Sequence, residues 1–489
     1  MSKVSALLLA FCLLGCGAEP GVEVEAEVEK REPCDRTPTS VEPDDYFLYF
    51  RVPAGLMADD RFDRQWARIE VHRIRPVYAH GRCRDVEGHA AVLVHGRVSA
   101  AQPSFDYRHG LSRTGEFSFQ EALAWAGIDT FAPSLLGYGR STRFSLDDPC
   151  NASLPTDRSF NPAINPLTGQ TVVLATNPLA GQTCAHSSPF RFGDTDLWVR
   201  DIGQAIDDAR WRSGLGPHGK VSLVAYSFGA QRVGRALDPT RYPEIVAKVD
   251  RAVFMAPLFY QLNRAENLED PDPAEVYYTF PLLVSNPAAA NGGGFAMSPL
   301  TRHDVCSGHI PANANAELHE QSKELDPIGA AWGGTNPAAP TGVVRSPTFA
   351  THGLNTSVAG RLTTPTLVLG GLDDVGVPAP GRAHACGLFK ALTSSPDKVL
   401  VQLDCASHSL HFEGCTGPRC CPGCNAEQPT CATYDGTCPW KGPHTTVAKA
   451  VIEWILQGTF DGKASAEASR YTVDASGLLG QGTPACDVF

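Results

Sequence analysis

The chain has 489 residues, 43% of them hydrophobic and 19% charged, with seven tryptophans. That is enough apolar material for a large core, and it excludes an intrinsically disordered chain. The formal net charge is −12 and the basic residues form no run, which argues against nucleic-acid binding and against a polybasic membrane contact.

The first segment, MSKVSALLLAFCLLGCGAEP, has one lysine, an apolar stretch from Val4 to Leu14 too short to span a bilayer, and then a small residue and a cysteine. Leu13-Leu14-Gly15-Cys16 resembles the lipobox of bacterial lipoproteins. The resemblance implies that residues 1–15 are a signal peptide, that Cys16 is acylated, and that the protein is lipid-anchored at the cell envelope on its periplasmic or extracellular face. A plain secretory signal with a chance cysteine is the alternative, and it also exports the chain. Residues 16–40 are acidic, lack aromatics and read as a solvated tether, which leaves 41–489 as the globular part.

Within that part, ARIEVHRIRPV (67–77) alternates and suits an antiparallel edge strand. Six apolar runs follow at 90–96, 128–134, 221–227, 252–257, 365–371 and 398–404, rich in Val and Leu at both alternating positions, as strands covered on two faces are. Helical spacing fills the gaps at 117–127, 197–214 and 445–458, the last stopped by Gly458. Alternating strands and helices predict an α/β class, a doubly wound and mostly parallel sheet. Three stretches exceed ordinary connections: 144–195, 261–361 and 414–443. All leave the sheet after a strand, where such folds bind ligands, so they are expected to act as lids or binding surfaces.

Of sixteen cysteines, setting aside Cys12 in the signal and Cys16 at its end leaves fourteen, an even number that suits disulfides in an exported chain. Cys150 and Cys184 are expected to staple the first insertion. Cys405, Cys415, Cys420, Cys421, Cys424, Cys431 and Cys438 crowd the last one. The CCPGC run invites a zinc site, but structural zinc wants two well-separated ligand pairs, so disulfides are preferred and no metal is expected.

AYSFGA, from Ala225, places Ser227 between small residues where a strand gives way to a helix; such a turn lifts a hydroxyl above the sheet and presents helix N-terminal amides to negative charge. LVHG (93–96), GIDTFAPSLLGYGRST (127–142) and AYSFGA together resemble the α/β-hydrolase superfamily over about residues 65 to 460. Ala225 departs from the glycine commonest there. A serine needs a base and an orienting carboxylate to attack at neutral pH, and the resemblance places both. Asp374, in GLDDVGVP after the fifth run, matches the family's acid position, with Asp373 the fallback. His408, in LDCASHSLHFEG after the last run, matches the base, with His411 the runner-up. Glu413 is expected to serve packing or the loop.

The resemblance then implies a serine hydrolase that cleaves carboxylic esters through an acyl-enzyme on Ser227, with the backbone N–H groups of Phe228 and Arg97 as oxyanion donors and no cofactor. His95 is expected to support the loop after Gly96. The expected partner is a small-molecule or lipid-like ester, with VYYTFPLL (276–283) of the 261–361 cap as an aromatic, apolar wall. An acyltransferase using the same residues, or a silent binding protein on the same scaffold, are the alternatives.

Overall fold

The computed structural model turns the six apolar runs into the middle of one ten-stranded sheet. It describes residues 37–57, 60–79, 88–96, 100–113, 115–144, 195–259, 314–331, 353–372, 374, 381–403, 406–413 and 442–464, with short strand segments at 163–164, 171–172, 282–284, 344–346, 469–473 and 479–480. The signal segment, Cys16, nearly all of the tether, Arg97, Asp373, the 415–438 cysteines and most of the 276–283 wall lie outside the described residues.

The strands are β1 (Ser40–Arg51), β2 (Trp66–Val77), β3 (His89–Val94), β4 (Ile128–Ser134), β5 (Val221–Tyr226), β6 (Val249–Met255), β7 (Thr366–Gly371), β8 (Lys398–Leu403), β9 (Ser469–Val473) and β10 (Leu479–Gly480). Their order across the sheet is β1-β2-β4-β3-β5-β6-β7-β8-β9-β10. From β4 to β9 every neighbouring pair is parallel. β1, β2 and β10 run antiparallel to their neighbours.

The central strands are buried because both faces are covered. Along β5, Val221, Leu223 and Ala225 join one core cluster and Val224 and Tyr226 the other, the period of two that a strand imposes. The first face is closed by α3 (Thr195–Arg212), through Leu197, Trp198, Ile202 and Ile206. The second is closed by α7 (Pro443–Gln457), through Val447, Val451 and Trp454. Gly458 ends α7 in the left-handed conformation at φ 67°, where glycine pays no steric cost. α2 (Phe119–Trp125) starts two residues later than its spacing predicts, because the Ser118 side chain accepts from the Glu121 amide and fixes the first turn.

One strand expectation needs correction. The 67–77 segment is antiparallel to its neighbour as predicted, but it is not the edge: β1 lies outside it, in continuous register from Ser40 opposite Val77 to Arg51 opposite Trp66. The hairpin is fastened to the body by a buried polar network. His72 Nδ1 lies 2.6 Å from Asp45 on β1, and its Nε2 lies 3.0 Å from Asp106, just after α1 (Ala101–Phe105). Asp106 also accepts from Ser118 Oγ at 2.5 Å and from Arg108.

Burial opposes a charge on His72, yet the hydrogen bonds and charges of Asp106 and Asp45 outweigh it and raise the imidazole to about 9. A histidine raised above its unfolded value stabilises the fold fully below about 6.5 and loses that contribution as pH climbs through about 9. The melting temperature is therefore expected to fall between pH 7 and 9.5 in the native chain. In His72→Gln the decline over that interval should be smaller, measured by circular dichroism; equal slopes would contradict the assignment.

The described part of the 261–361 insertion includes α5 (Ala314–Glu324). Its Glu317 accepts from Tyr107 Oη and, at 3.2 Å, from the Gly110 amide. Gln321 exchanges two hydrogen bonds with the Arg108 backbone, at 3.1 and 2.6 Å. Leu318 packs in a small cluster with Tyr107, Phe117 and Phe412. The insertion thus sits against the 406–413 loop, which carries His408. Cys386 on α6 (Gly381–Ala391), the one cysteine among the described residues, is disulfide-bonded.

Candidate active site

Three loops leave the carboxyl ends of β5, β7 and β8 and meet above the sheet. At the first, Tyr226 ends the strand, Ser227 follows at φ 55°, and α4 (Gly229–Ala236) starts two residues on. A positive φ at a residue other than glycine stores about 1–3 kcal/mol of strain, so the surroundings must hold it. They do: the Ser227 amide donates to the Met255 carbonyl at 3.0 Å, and the Ser227 carbonyl accepts from Ala230 and Leu258, both at 3.1 Å.

The small residues around the turn have specific reasons. A Cβ on Gly229 would stand 2.4 Å from the Val94 carbonyl oxygen, and one on Gly96 would stand 3.0 Å from Ser227 Cβ. Ala225 is different. Its methyl is fully buried in the core cluster, so the turn accommodates alanine there.

At the second loop Asp374 follows β7 and is 1% exposed. At the third, the 406–413 segment turns tightly after β8: Glu413 accepts from the Ser407 amide at 2.7 Å and from Ser407 Oγ, while its own carbonyl accepts from the His444 amide at 2.9 Å. Glu413 thus closes the loop, as expected of it. His408 stands between the other two groups, with Nε2 2.7 Å from Ser227 Oγ and Nδ1 2.9 Å from Asp374 Oδ2. With Asp374 accepting at Nδ1, the ring's proton belongs there, and Nε2 is left to accept from the serine hydroxyl.

The runner-up histidine does other work. His411 Nε2 donates to the Ser104 carbonyl at 2.8 Å, and its ring packs 4.4 Å from Tyr226 and 3.9 Å from Phe412. Complete burial pushes it down to about 3, so it stays neutral at any physiological pH.

The strand order β1-β2-β4-β3-β5-β6-β7-β8, with a strained serine after β5, an acid after β7 and a histidine after β8, decides the architecture. The fold is that of the α/β-hydrolases. No protein-family model matches the sequence, and no curated protein does. Similar solved structures include a thioesterase domain from the curacin biosynthetic pathway, 14% identical at TM-score 0.37, covering 76% of this chain and 95% of its own. A point mutant of the meta-cleavage product hydrolase CumD is 14% identical at TM-score 0.35, covering 73% and 92%. A monoacylglycerol lipase from Paleococcus ferrophilus is 15% identical at TM-score 0.33, covering 85% and 100%.

In α/β-hydrolase terms, Phe228 directly follows the elbow serine at the N-terminus of α4, and Gly96 lies against that serine. His95 is wholly buried. Its Nδ1 donates to the Gly96 carbonyl at 2.8 Å and its Nε2 accepts from the Leu135 amide at 3.1 Å. Those two bonds require the neutral ring, and burial, reinforced by the Arg232 charge, holds its pKa well below the ordinary value. His95 therefore braces the loop after β3, as the sequence suggested. Among the described residues no group of His, Cys, Asp and Glu is arranged to hold a metal ion.

Two residues matter to this geometry in ways the sequence does not show. Gly371, at the end of β7, lies so close to the 406–407 backbone that a Cβ would meet the Ala406 carbonyl oxygen at 2.2 Å. Arg232, inside α4, is fully buried beneath the loop after β3. An arginine in a helix ordinarily marks the solvent side, so no pattern points to it.

Proposed function

We propose that this protein is an exported serine hydrolase that cleaves carboxylic ester bonds through an acyl-enzyme. The observation that carries the reading is the contact of Ser227 Oγ with His408 Nε2 at 2.7 Å while Asp374 holds the opposite ring nitrogen at 2.9 Å. Ser227 is partly accessible while His408 and Asp374 are buried, the arrangement a nucleophile backed by a sheltered base requires.

In this mechanism His408 takes the Ser227 proton as the oxygen adds to the acyl carbon. Asp374 fixes the imidazole tautomer and stabilises the imidazolium that forms. The tetrahedral oxyanion is met by the backbone N–H groups of Phe228 and Arg97, after which His408 protonates the departing alcohol. Water, deprotonated by His408, then releases the acid and restores Ser227. The substrate is a small-molecule or lipid-like ester, and acylation at Cys16 would hold the enzyme at the cell envelope.

The test is a fluorophosphonate probe together with a panel of p-nitrophenyl esters of graded acyl length. The native chain should label at Ser227 and turn over at least one ester, and Ser227→Ala should do neither. A folded native protein that neither labels nor hydrolyses would favour a silent binding protein. Labelling with product formed only in the presence of an alcohol acceptor would favour acyl transfer.

A further inference from the structure

The loop after β3 opens with His95 and Gly96, and Gly96 lies against Ser227. In a trans peptide the C=O and the N–H that follows it point in opposite directions, so what holds a carbonyl also sets the amide after it. Among the described residues the Gly96 carbonyl is the last group of this loop that a side chain holds. Two side chains hold it. His95 Nδ1 donates to it at 2.8 Å, and Arg232 Nη1 lies 3.4 Å from it and 3.1 Å from the His95 carbonyl.

Arg232 does more than touch that peptide. Its Nη2 donates to Tyr138 Oη at 2.8 Å, in the turn after β4. The guanidinium stands 4.5 Å from the Trp198 ring of α3, 5.0 Å from Tyr138 and 5.3 Å from the ring of Phe228. Phe228 is the residue assigned the second oxyanion amide. One buried side chain thus contacts both residues that border the expected oxyanion position on the described backbone, Gly96 on one side and Phe228 on the other.

A fully buried arginine is costly to keep. No carboxylate forms an ion pair with it among the described residues, and its Nε finds no acceptor there. Aromatic rings and neutral oxygens make its direct contacts, and the charge of the buried Asp201 acts on it from farther off. A residue held in the core at such a cost, where an apolar side chain would pack, calls for a reason other than stability. The planar guanidinium supplies one, since it reaches two carbonyls and a hydroxyl with fixed directions while its face lies against aromatic rings, which an ammonium group cannot do.

We infer that Arg232 is a positioning residue of the oxyanion site, clamping the Gly96 carbonyl against the Phe228 end of α4. This rests on the hydrolytic reading for its consequence, but the clamp itself is a property of the fold.

The test pairs Arg232→Met and Arg232→Lys with the native chain, reading steady-state kinetics on a p-nitrophenyl ester, thermal stability, and hydrogen exchange of peptides covering residues 95–100. In Arg232→Met, kcat should fall by about 100-fold, as for a lost oxyanion donor. KM should stay within about twofold, because the lost interaction acts on the transition state. Exchange over 95–100 should rise, and Arg232→Lys should recover only part of kcat. Unchanged exchange overturns the clamp whatever the rates do. Unchanged kcat with faster exchange overturns its link to the oxyanion, as does a loss confined to KM. If the native chain neither labels nor hydrolyses, the hydrolytic reading fails and exchange alone decides the clamp. If Arg232→Met does not fold, Tyr138→Phe, which removes one anchor at nearly constant volume, decides: the same signature at several-fold size supports the assignment, and native behaviour overturns it.

Discussion

Ser227→Ala and His408→Ala are each expected to leave about one part in 10⁶ of the native kcat, and the double variant no less than either single one. The reason is that the pair acts as a unit. With Nε2 at 2.7 Å from the hydroxyl, removing the base leaves an alcohol too weakly acidic to attack, and removing the hydroxyl leaves a base with nothing to activate. Asp374→Asn should cost less, about 10⁴-fold, with geometry intact. An amide can donate as well as accept at Nδ1, so the ring is free to take the other tautomer, and Nε2 then carries the proton it should receive. The measurement is kcat on one p-nitrophenyl ester for the four proteins, with circular dichroism to verify folding. Additive losses, in which the double variant multiplies the two single effects, would mean that serine and histidine do not act in one step. Retained turnover in His408→Ala would give the base to another group. His411 could not supply it, being too weak a base with burial pushing its pKa down to about 3, committed to the Ser104 carbonyl and wedged between Tyr226 and Phe412.

The parts of this site that could be read from the sequence are those where local pattern and fold demand the same residue. The six central strands announce themselves because a strand covered on both faces must be apolar throughout, and β4, β5 and β7 are buried at every position. Ser227 shows through because a strand-to-helix turn this sharp admits only small neighbours. β1 does not show through. Pro43, Asp44 and Asp45 interrupt its alternation, and what keeps it in place is long-range: the Asp45 contact with His72, and the stacking of Arg212 over Tyr46 at 3.7 Å. β9 and β10 are too short to carry a pattern. The choice of His408 over His411 follows from position after the last strand, and burial explains it physically, since one ring faces a partly accessible hydroxyl and the other is sealed in the core. Arg232 stays hidden for a different reason. All eight residues of α4 are buried, so the helix has no solvent face against which a charged side chain would stand out.

Gly371→Ala is expected to lower kcat by about 100-fold, because a displacement of about 1 Å between reacting groups has that effect. Gly371 belongs to β7, in register with Leu403 of β8, so its backbone is ordinary strand and alanine would fit it by conformation alone. The obstacle is space. The added methyl would meet the Ala406 carbonyl oxygen at 2.2 Å and the Ser407 carbonyl oxygen at 2.6 Å, backbone atoms with no rotamer to change. Either the 406–413 loop lifts, carrying His408 with it, or the end of β7 retreats, carrying Asp374. Both lengthen the 2.9 Å contact between them. Overpacking of this kind also costs about 1–3 kcal/mol of stability. Gly360→Ala is the matched control, since its new methyl would find only ordinary contacts, 3.5 Å from Thr393 Oγ1 and 3.8 Å from the Ala391 carbonyl oxygen. Inside the short helix Thr356–Arg361, it should be neutral or stabilise by up to about 1 kcal/mol. Fluorophosphonate labelling rates read alongside melting temperatures separate the two effects. Should Gly371→Ala label at the native rate, the 371–406 approach would not be what sets the distance between acid and base, and the loop's other contacts, those of Glu413 and His411 among them, would hold it in place.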